Sequence, residues 1–312
     1  MSNLSSRFNF ASAPDSWGVL DYPGPSWNQS YEKMLDEMVE AGYTGTELGP
    51  YGFFPTDAAV LQKELGKRRL KLLGSFVPVT LGDPASAGIA VEQIRKVGNL
   101  LSTLGAPFLV LADAQCPERD QISGRVPAHG SASLSTAQWQ NVAKVVAEAG
   151  RVAADYGLDL VFHPHVSTYV ETPAETERFF DVTSATNIGL CLDTGHCVFA
   201  GGDAIAEAEK YRSILRLVHI KDVDDKILVE ARRKKLNFEE AIEDKAFTII
   251  GRGSIDFPGF FRVLAKNNYF GWMVVEQDVK FGATVVPPAE SIAASLKYLR
   301  GVVSQLEAPA LR

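Results

Sequence analysis

LVFHPH (160–165), GLCLDTGH (189–196), RLVHIKD (216–222) and MVVEQD (273–278) share one pattern, a short apolar run with an acid or a histidine at its C-terminal end. An apolar run bounded by polar groups reads as a strand of a parallel sheet buried on both faces. Ligand-type residues at the C-terminal ends of such strands read as an active site. Four strands ending this way predict a metal centre.

Working outward, FNFAS (8–12), TGTEL (44–48), LLGSFV (72–77) and FLVLAD (108–113) precede DLVFH (159–163), IGLCLD (188–193), RLVHIK (216–221) and GWMVVEQ (271–277), eight candidate strands in all. Helical patterns lie between them. Segment 27–42 sets Tyr31, Met34, Leu35, Met38 and Val39 on one face and has Gly42 as its stop. Segments 57–67, 85–104, 136–156, 173–182, 203–213, 257–267 and 288–306 behave similarly, several opening at Pro or at a Ser, Thr or Asp cap. Strand and helix alternating in this way predict an α/β fold, a (β/α)8 TIM barrel forming a single domain over 1–312. A doubly wound sheet is the alternative. It is disfavoured because no GxGxxG follows a strand, and GRGSID (251–256) lacks the third glycine.

Two insertions fall at strand ends. Residues 113–135 form a long polar loop rich in Gly, Ser and Pro, and loops of that length tend to be functional. Asp113, Arg119 and His129 are its candidate residues. Residues 223–256 contain a charged helix-like stretch from Lys226 to Ala246, suited to capping the barrel mouth.

Composition excludes several function classes. With 46% hydrophobic and 22% charged residues, the chain has the material for one large soluble core. A net charge of −7 and the absence of a basic loop argue against a duplex nucleic-acid partner. The run Arg232–Lys235 sits between Glu230 and Glu239–Glu240 and reads as a solvated helix face. Cys116, Cys191 and Cys197 form no CxxC pair, so neither a disulfide framework nor a thiolate zinc site is expected, and the reduced cytoplasm is the expected compartment. MSNLSSRFNFASAPDSW lacks the apolar core of a signal peptide, and no stretch approaches the roughly 18 apolar residues of a membrane span. The stretch Pro287–Arg312 can dock on its own barrel or reach a neighbour, which leaves a homo-oligomer open.

Residues two apart on a strand share a face, so His163 and His165 can both point into the barrel. Asp193 is followed one turn later by His196, His219 precedes Lys221 by two, and Glu276 precedes Asp278 by two. Imidazoles and carboxylates together suit Mn2+, Zn2+, Fe2+ or Co2+ better than Mg2+. Glu47, in the glycine- and proline-rich TELGPYG, is placed at the catalytic rim, with a loop cap as its plain reading. Lys221 reads as a hydroxyl or phosphate anchor, a general acid, or the salt-bridge partner of Asp222. Trp17 and Phe54 can wall a ring's C–H face or belong to the core, and Arg252 can reach the site from its glycine-flanked loop.

CLDTGH, VHIKD and VVEQD resemble the xylose-isomerase-like barrel superfamily of sugar isomerases, epimerases and dehydratases. APDSWGV (13–19), GTELGPYGFFPTD (45–57), FVPV (76–79) and HPHVSTYVETP (163–173) are similar to its inosose dehydratase branch, and the similarity runs from about 8 to 300. The resemblance implies a divalent ion, Mn2+ foremost, at the ends of the fifth to eighth strands. Asp193, His219 and Glu276 fall on the family's ligands. His163 stands where many isomerases and epimerases have a glutamate, with His165 as a substrate or acid–base group, and the roles of these two histidines are exchangeable. Epimerases of the family use two metal-bound glutamates, and one is missing here.

The implied reaction is dehydration of a keto-polyol such as 2-keto-myo-inositol, with proton transfer by two of Glu47, His165, His196 and Lys221. An isomerase or epimerase, a lyase of keto-glycosides, or a polyol-binding protein on a decayed barrel are the alternatives. An apurinic endonuclease, which needs more histidine ligands and a basic face, does not fit five histidines in all.

Overall fold

The computed structural model describes residues 6–20, 29–280 and 286–307. The first five residues, positions 27 and 28 of the first predicted helix, and the end of the Pro287–Arg312 stretch lie outside the described residues.

The chain opens with β1 (Phe8–Ser12), α1 (Tyr31–Ala41), β2 (Gly45–Thr46) and α2 (Ala58–Arg68), then β3 (Lys71–Leu72), β4 (Phe76–Val79) and α3 (Ser86–Thr103). It continues through β5 (Phe108–Asp113), a short α4 (Pro117–Asp120), α5 (Thr136–Asp155), β6 (Asp159–Phe162), α6 (Pro173–Val182) and β7 (Gly189–Asp193). After α7 (Thr194–Phe199), α8 (Ala204–Lys210) and β8 (Leu215–Ile220) comes an insertion made of β9 (Asp222–Val223), α9 (Asp225–Lys234), α10 (Phe238–Glu243) and β10 (Phe247–Thr248). The chain then adds α11 (Phe257–Lys266), β11 (Gly271–Val275) and α12 (Pro288–Glu307).

The main sheet is parallel and runs β3-β2-β1-β11-β8-β7-β6-β5-β4. Its two ends, β3 and β4, are parts of one strand, the predicted LLGSFV. Between them Leu73 and Ser75 accept from Phe108 N (2.9 Å) and Val110 N (3.1 Å), while Gly74 accepts from Leu48 N (2.9 Å). The ladder is therefore continuous across the seam, and the sheet closes as an eight-stranded TIM barrel. Gly74 is required there, since a Cβ would lie 2.8 Å from the Phe108 carbonyl oxygen.

Alternation along the strands divides the core into two layers. Leu109, Leu111, Phe162, Leu192, Val218 and Val275 face the helices, whereas Ala11, Leu73, Val110, Val161, Cys191, Leu217 and Val274 fill the lumen. The charged stretch expected from Lys226 to Ala246 folds as two helices. Lys235 takes a left-handed conformation (φ 59°) that ends α9, and Asn237 caps α10 in a reciprocal box with Glu240. The insertion is closed by the antiparallel pair β9–β10 and has a small core of its own around Leu228, Phe238 and Phe247. Among the described residues no helix is long and apolar enough to cross a membrane.

Candidate active site

The lumen residues Val161, Cys191, Leu217 and Val274 are followed two positions later by His163, Asp193, His219 and Glu276, and alternation carries these four into the lumen as well. A further step of two adds His165, Lys221 and Asp278. The register sets Asp193 beside His219, and His219 beside Val274. All four predicted ligands are almost fully buried.

Two overlapping groups share His219. Donor atoms of His163, Asp193 and His219 lie within 4.8 Å of one another, as do those of Glu47, His219 and Glu276. His219 Nδ1 is 3.1 Å from Glu276 Oε2, and its Nε2 is 3.2 Å from Glu47 Oε1. Asp193 divides its oxygens: Oδ1 accepts from His196 N (2.8 Å) and caps α7, while Oδ2 is buried without a hydrogen bond, 3.5 Å from His163 Nε2. His163 Nδ1 is likewise buried and unpartnered. Burial of unsatisfied polar atoms is costly, and two imidazoles with two or three carboxylates form a donor set that fits a first-row divalent cation. Burial alone would raise Glu276, but His219 and Lys221 hold its carboxyl well below the usual carboxylate range.

Lys221 Nζ sits 2.8 Å from Asp278 Oδ1, 3.2 Å from Glu276 Oε2, 3.6 Å from Asp193 Oδ2 and 3.7 Å from Asp15 Oδ2. Burial opposes its charge, yet Asp278, Asp193 and Glu276 outweigh burial and hold the ammonium well above the usual lysine value. Its close approach depends on Gly195, where a Cβ would lie 2.5 Å from Lys221 Cβ. Asp222, the other partner considered for Lys221, faces away and accepts from the backbone of Gly251, Gly253, Ile255 and Val223, folding GRGSID around itself.

The two remaining histidines differ in access. His165 lines the cavity, and its Nδ1 donates to Val166 O (2.7 Å), which leaves Nε2 as an acceptor. Burial, with His163 and Lys221 nearby, pushes its pKa down to about 3. His196 does not line the cavity. It lies behind Lys221 with Nε2 3.2 Å from the ammonium, and its Nδ1 accepts weakly from Val166 N (3.4 Å).

The cavity over this cluster has a volume of about 250 Å³, and Glu47, His163, His165, His219, Lys221 and Glu276 all line it. Trp17 does not, because its indole nitrogen donates to Glu37 (2.7 Å) and its ring joins the core. Phe54 is also core. Arg252 lines a separate pocket behind β10. Asp113 lines the cavity but spends both oxygens on Leu81 N and Tyr169 N, at 3.0 Å each. Arg119 is buried away from it, and His129 is exposed. Asp15, Phe238 and Ile242 line the cavity without having been singled out from sequence, and Asp278, noted there as two residues beyond Glu276 but given no role, lines it as well. Asp278 continues the alternation of Glu276 past the strand end, a usable signal. Asp15, in a 3-10 turn after β1, carries no such periodicity.

A model of the xylose isomerase-like TIM barrel matches residues 35–302. The chain belongs to the xylose isomerase-like TIM barrel family. Among its family relatives, the inosose dehydratase of Clostridium perfringens is 29% identical over 304 residues, covering 95% of this chain and 98% of the relative. The rhizopine catabolism protein MocC of Rhizobium meliloti is 34% identical over 265 residues, covering 85% and 80%. The solved structure of IolI with a binding zinc atom superposes with a TM-score of 0.71 at 16% identity, covering 95% of this chain and 98% of that one, which bears on the fold of the family alone.

Proposed function

We propose that this barrel is a metal-dependent carbon–oxygen lyase that dehydrates a keto-polyol such as 2-keto-myo-inositol. The observation that carries this reading is the convergence of His163, Asp193, His219 and Glu276, with a buried unpartnered atom on His163 and another on Asp193, beneath a cavity that also presents Glu47, His165 and Lys221. Relatives named inosose dehydratase support the choice of reaction.

A divalent ion on those four residues, Mn2+ by preference, would supply Lewis-acid polarisation of the ketone and its neighbouring hydroxyl. Glu47 is assigned as the base that removes the proton α to the ketone. Lys221 is assigned to protonate the departing β-hydroxyl, so that one C–H and one C–O bond break, a C=C bond forms, and water leaves. His165 is assigned to accept a hydrogen bond from a substrate hydroxyl through Nε2. His196 is assigned to steady Lys221 from behind.

The test is proton NMR of 2-keto-myo-inositol in D2O with metal-reconstituted protein, the ion being chelated before the spectrum is recorded. Loss of water to give a deoxy-diketone is expected. Deuterium exchange without water loss would replace the assignment by an isomerase or epimerase. Glu276→Gln is expected to lower both bound metal, measured by elemental analysis, and turnover, and full occupancy with a normal rate would remove Glu276 from the ligand set.

A further inference from the structure

The cavity changes character with depth. Its base comes from strand ends and is charged, as described above. Among the described residues, its upper wall is apolar: Val19 and Leu20 after β1, Pro50 after β2, Pro78 near the end of β4, and Phe238 and Ile242 of α10. Of the polar side chains among the described residues that line the cavity beside the ligand cluster, Asp15 faces Lys221 (3.7 Å), Asp113 has both oxygens committed to backbone N–H groups, and Gln115 lies against the His165 ring, 3.5 Å from Nδ1.

The α10 part of this wall is built rather than incidental. Phe238 is anchored edge-on to Phe199 (5.5 Å) and Phe247 (5.8 Å), and its ring meets those of His165 (5.6 Å) and His196 (5.4 Å). Hydroxyls of a fully hydroxylated ring turned toward these six side chains would lose water and gain no partner from them. An apolar group in the same place is favoured by the area it removes from water.

We infer that the substrate is a keto-polyol ring carrying an apolar ether or glycoside substituent, with the ring oxygens on the charged base and the substituent against Phe238, Ile242, Val19 and Leu20. The ring chemistry at the base rests on the proposed function. The preference at the wall does not, and it is measured separately, by binding.

Calorimetry on the metal-loaded protein with three compounds that lack the ketone, and therefore cannot enolise, reads it directly: myo-inositol, one of its mono-O-methyl ethers and phenyl glucoside. A substituted compound is expected to bind at least about ten-fold more tightly than myo-inositol, the discrimination that one added apolar group gives in a matched pocket. A preference for the methyl ether points to an alkylated cyclitol, and one for the phenyl compound to a glycoside with an aglycone. Ile242→Asn is expected to bring the ratio to about two-fold or less, with Phe238→Leu as a second variant that keeps the helix anchored. Equal or tighter binding of myo-inositol, or binding of none of the three, overturns the inference. A retained preference in a protein that fails to dehydrate 2-keto-myo-inositol overturns the proposed reaction and leaves the wall assignment standing.

Discussion

Residues 113–135 and 223–256 are both long, polar and placed after barrel strands, yet they do different work. The first is pinned by buried charge: Arg119 donates to both oxygens of Glu175 (2.6 and 2.9 Å) and lies 3.9 Å from Glu171, which accepts from Gly124 N (2.7 Å) and Ser167 N (2.9 Å). The second is held by apolar packing and brings Phe238 and Ile242 to the cavity. They also touch. Arg125 of the first donates to the carbonyls of Leu236 (2.6 Å) and Lys235 (3.3 Å), and Asp120 accepts from Phe238 N (3.2 Å). The first insertion is a buttress and the second a roof. Length and polarity mark both as insertions without saying which of their residues reach the cavity.

Removing the pin should have the largest effect. Arg119→Met leaves Glu175, and beside it Glu171, buried without a counter-charge, and losing one partner of a buried pair costs about 3–5 kcal/mol. Urea denaturation should show that loss, while turnover per folded molecule changes little because Arg119 does not reach the cavity. A loss below about 1 kcal/mol would mean that backbone hydrogen bonds alone hold the buttress.

The charge that pins the buttress should also make it sensitive to pH in a way the roof is not. Burial pushes Glu171 from 4.5 up to about 7, with the Gly124 and Ser167 N–H groups and Arg119 offsetting only part of the rise. The folded state then binds more protons than the unfolded state between those values. Its contribution is complete below about 4.5 and is lost as pH rises through about 7, at most about 3 kcal/mol. Glu171→Gln should flatten the fall in stability between pH 5.5 and pH 8, measured by urea unfolding at each pH. An unchanged slope would assign it to another group.

Much of the barrel and of its charged base was legible because both follow a period of two. His163, Asp193, His219 and Glu276 sit at the ends of apolar runs, and the same period puts Lys221 in the lumen and turns Asp222 out of it. Sequence adjacency suggested pairing those two, whereas alternation gives Lys221 the neighbouring strand's Asp278. Trp17 was ambiguous for a local reason, since its indole finds Glu37 on α1 only once that helix has packed. The apolar wall was not legible. Phe238 and Ile242 reach the cavity through contacts with Phe199, Phe247 and Asp120, all distant in sequence, and no periodicity reports where an insertion docks.

The smallest effect is the most discriminating one, because it probes the junction between the two insertions. Arg125→Met removes hydrogen bonds to the Leu236 and Lys235 carbonyls but breaks no close ion pair among the described residues, so the cost is about 1–2 kcal/mol and local to the turn that leads into α10. Amide hydrogen exchange at residues 236–238 should quicken by about ten-fold, with exchange in the barrel strands unchanged. If α10 instead exchanges as slowly as before, its packing on Phe199 and Phe247 is sufficient by itself. Buttress and roof would then be independent insertions, and any loss of ligand preference in Arg119→Met would have to travel through α6 and the barrel instead of through Arg125.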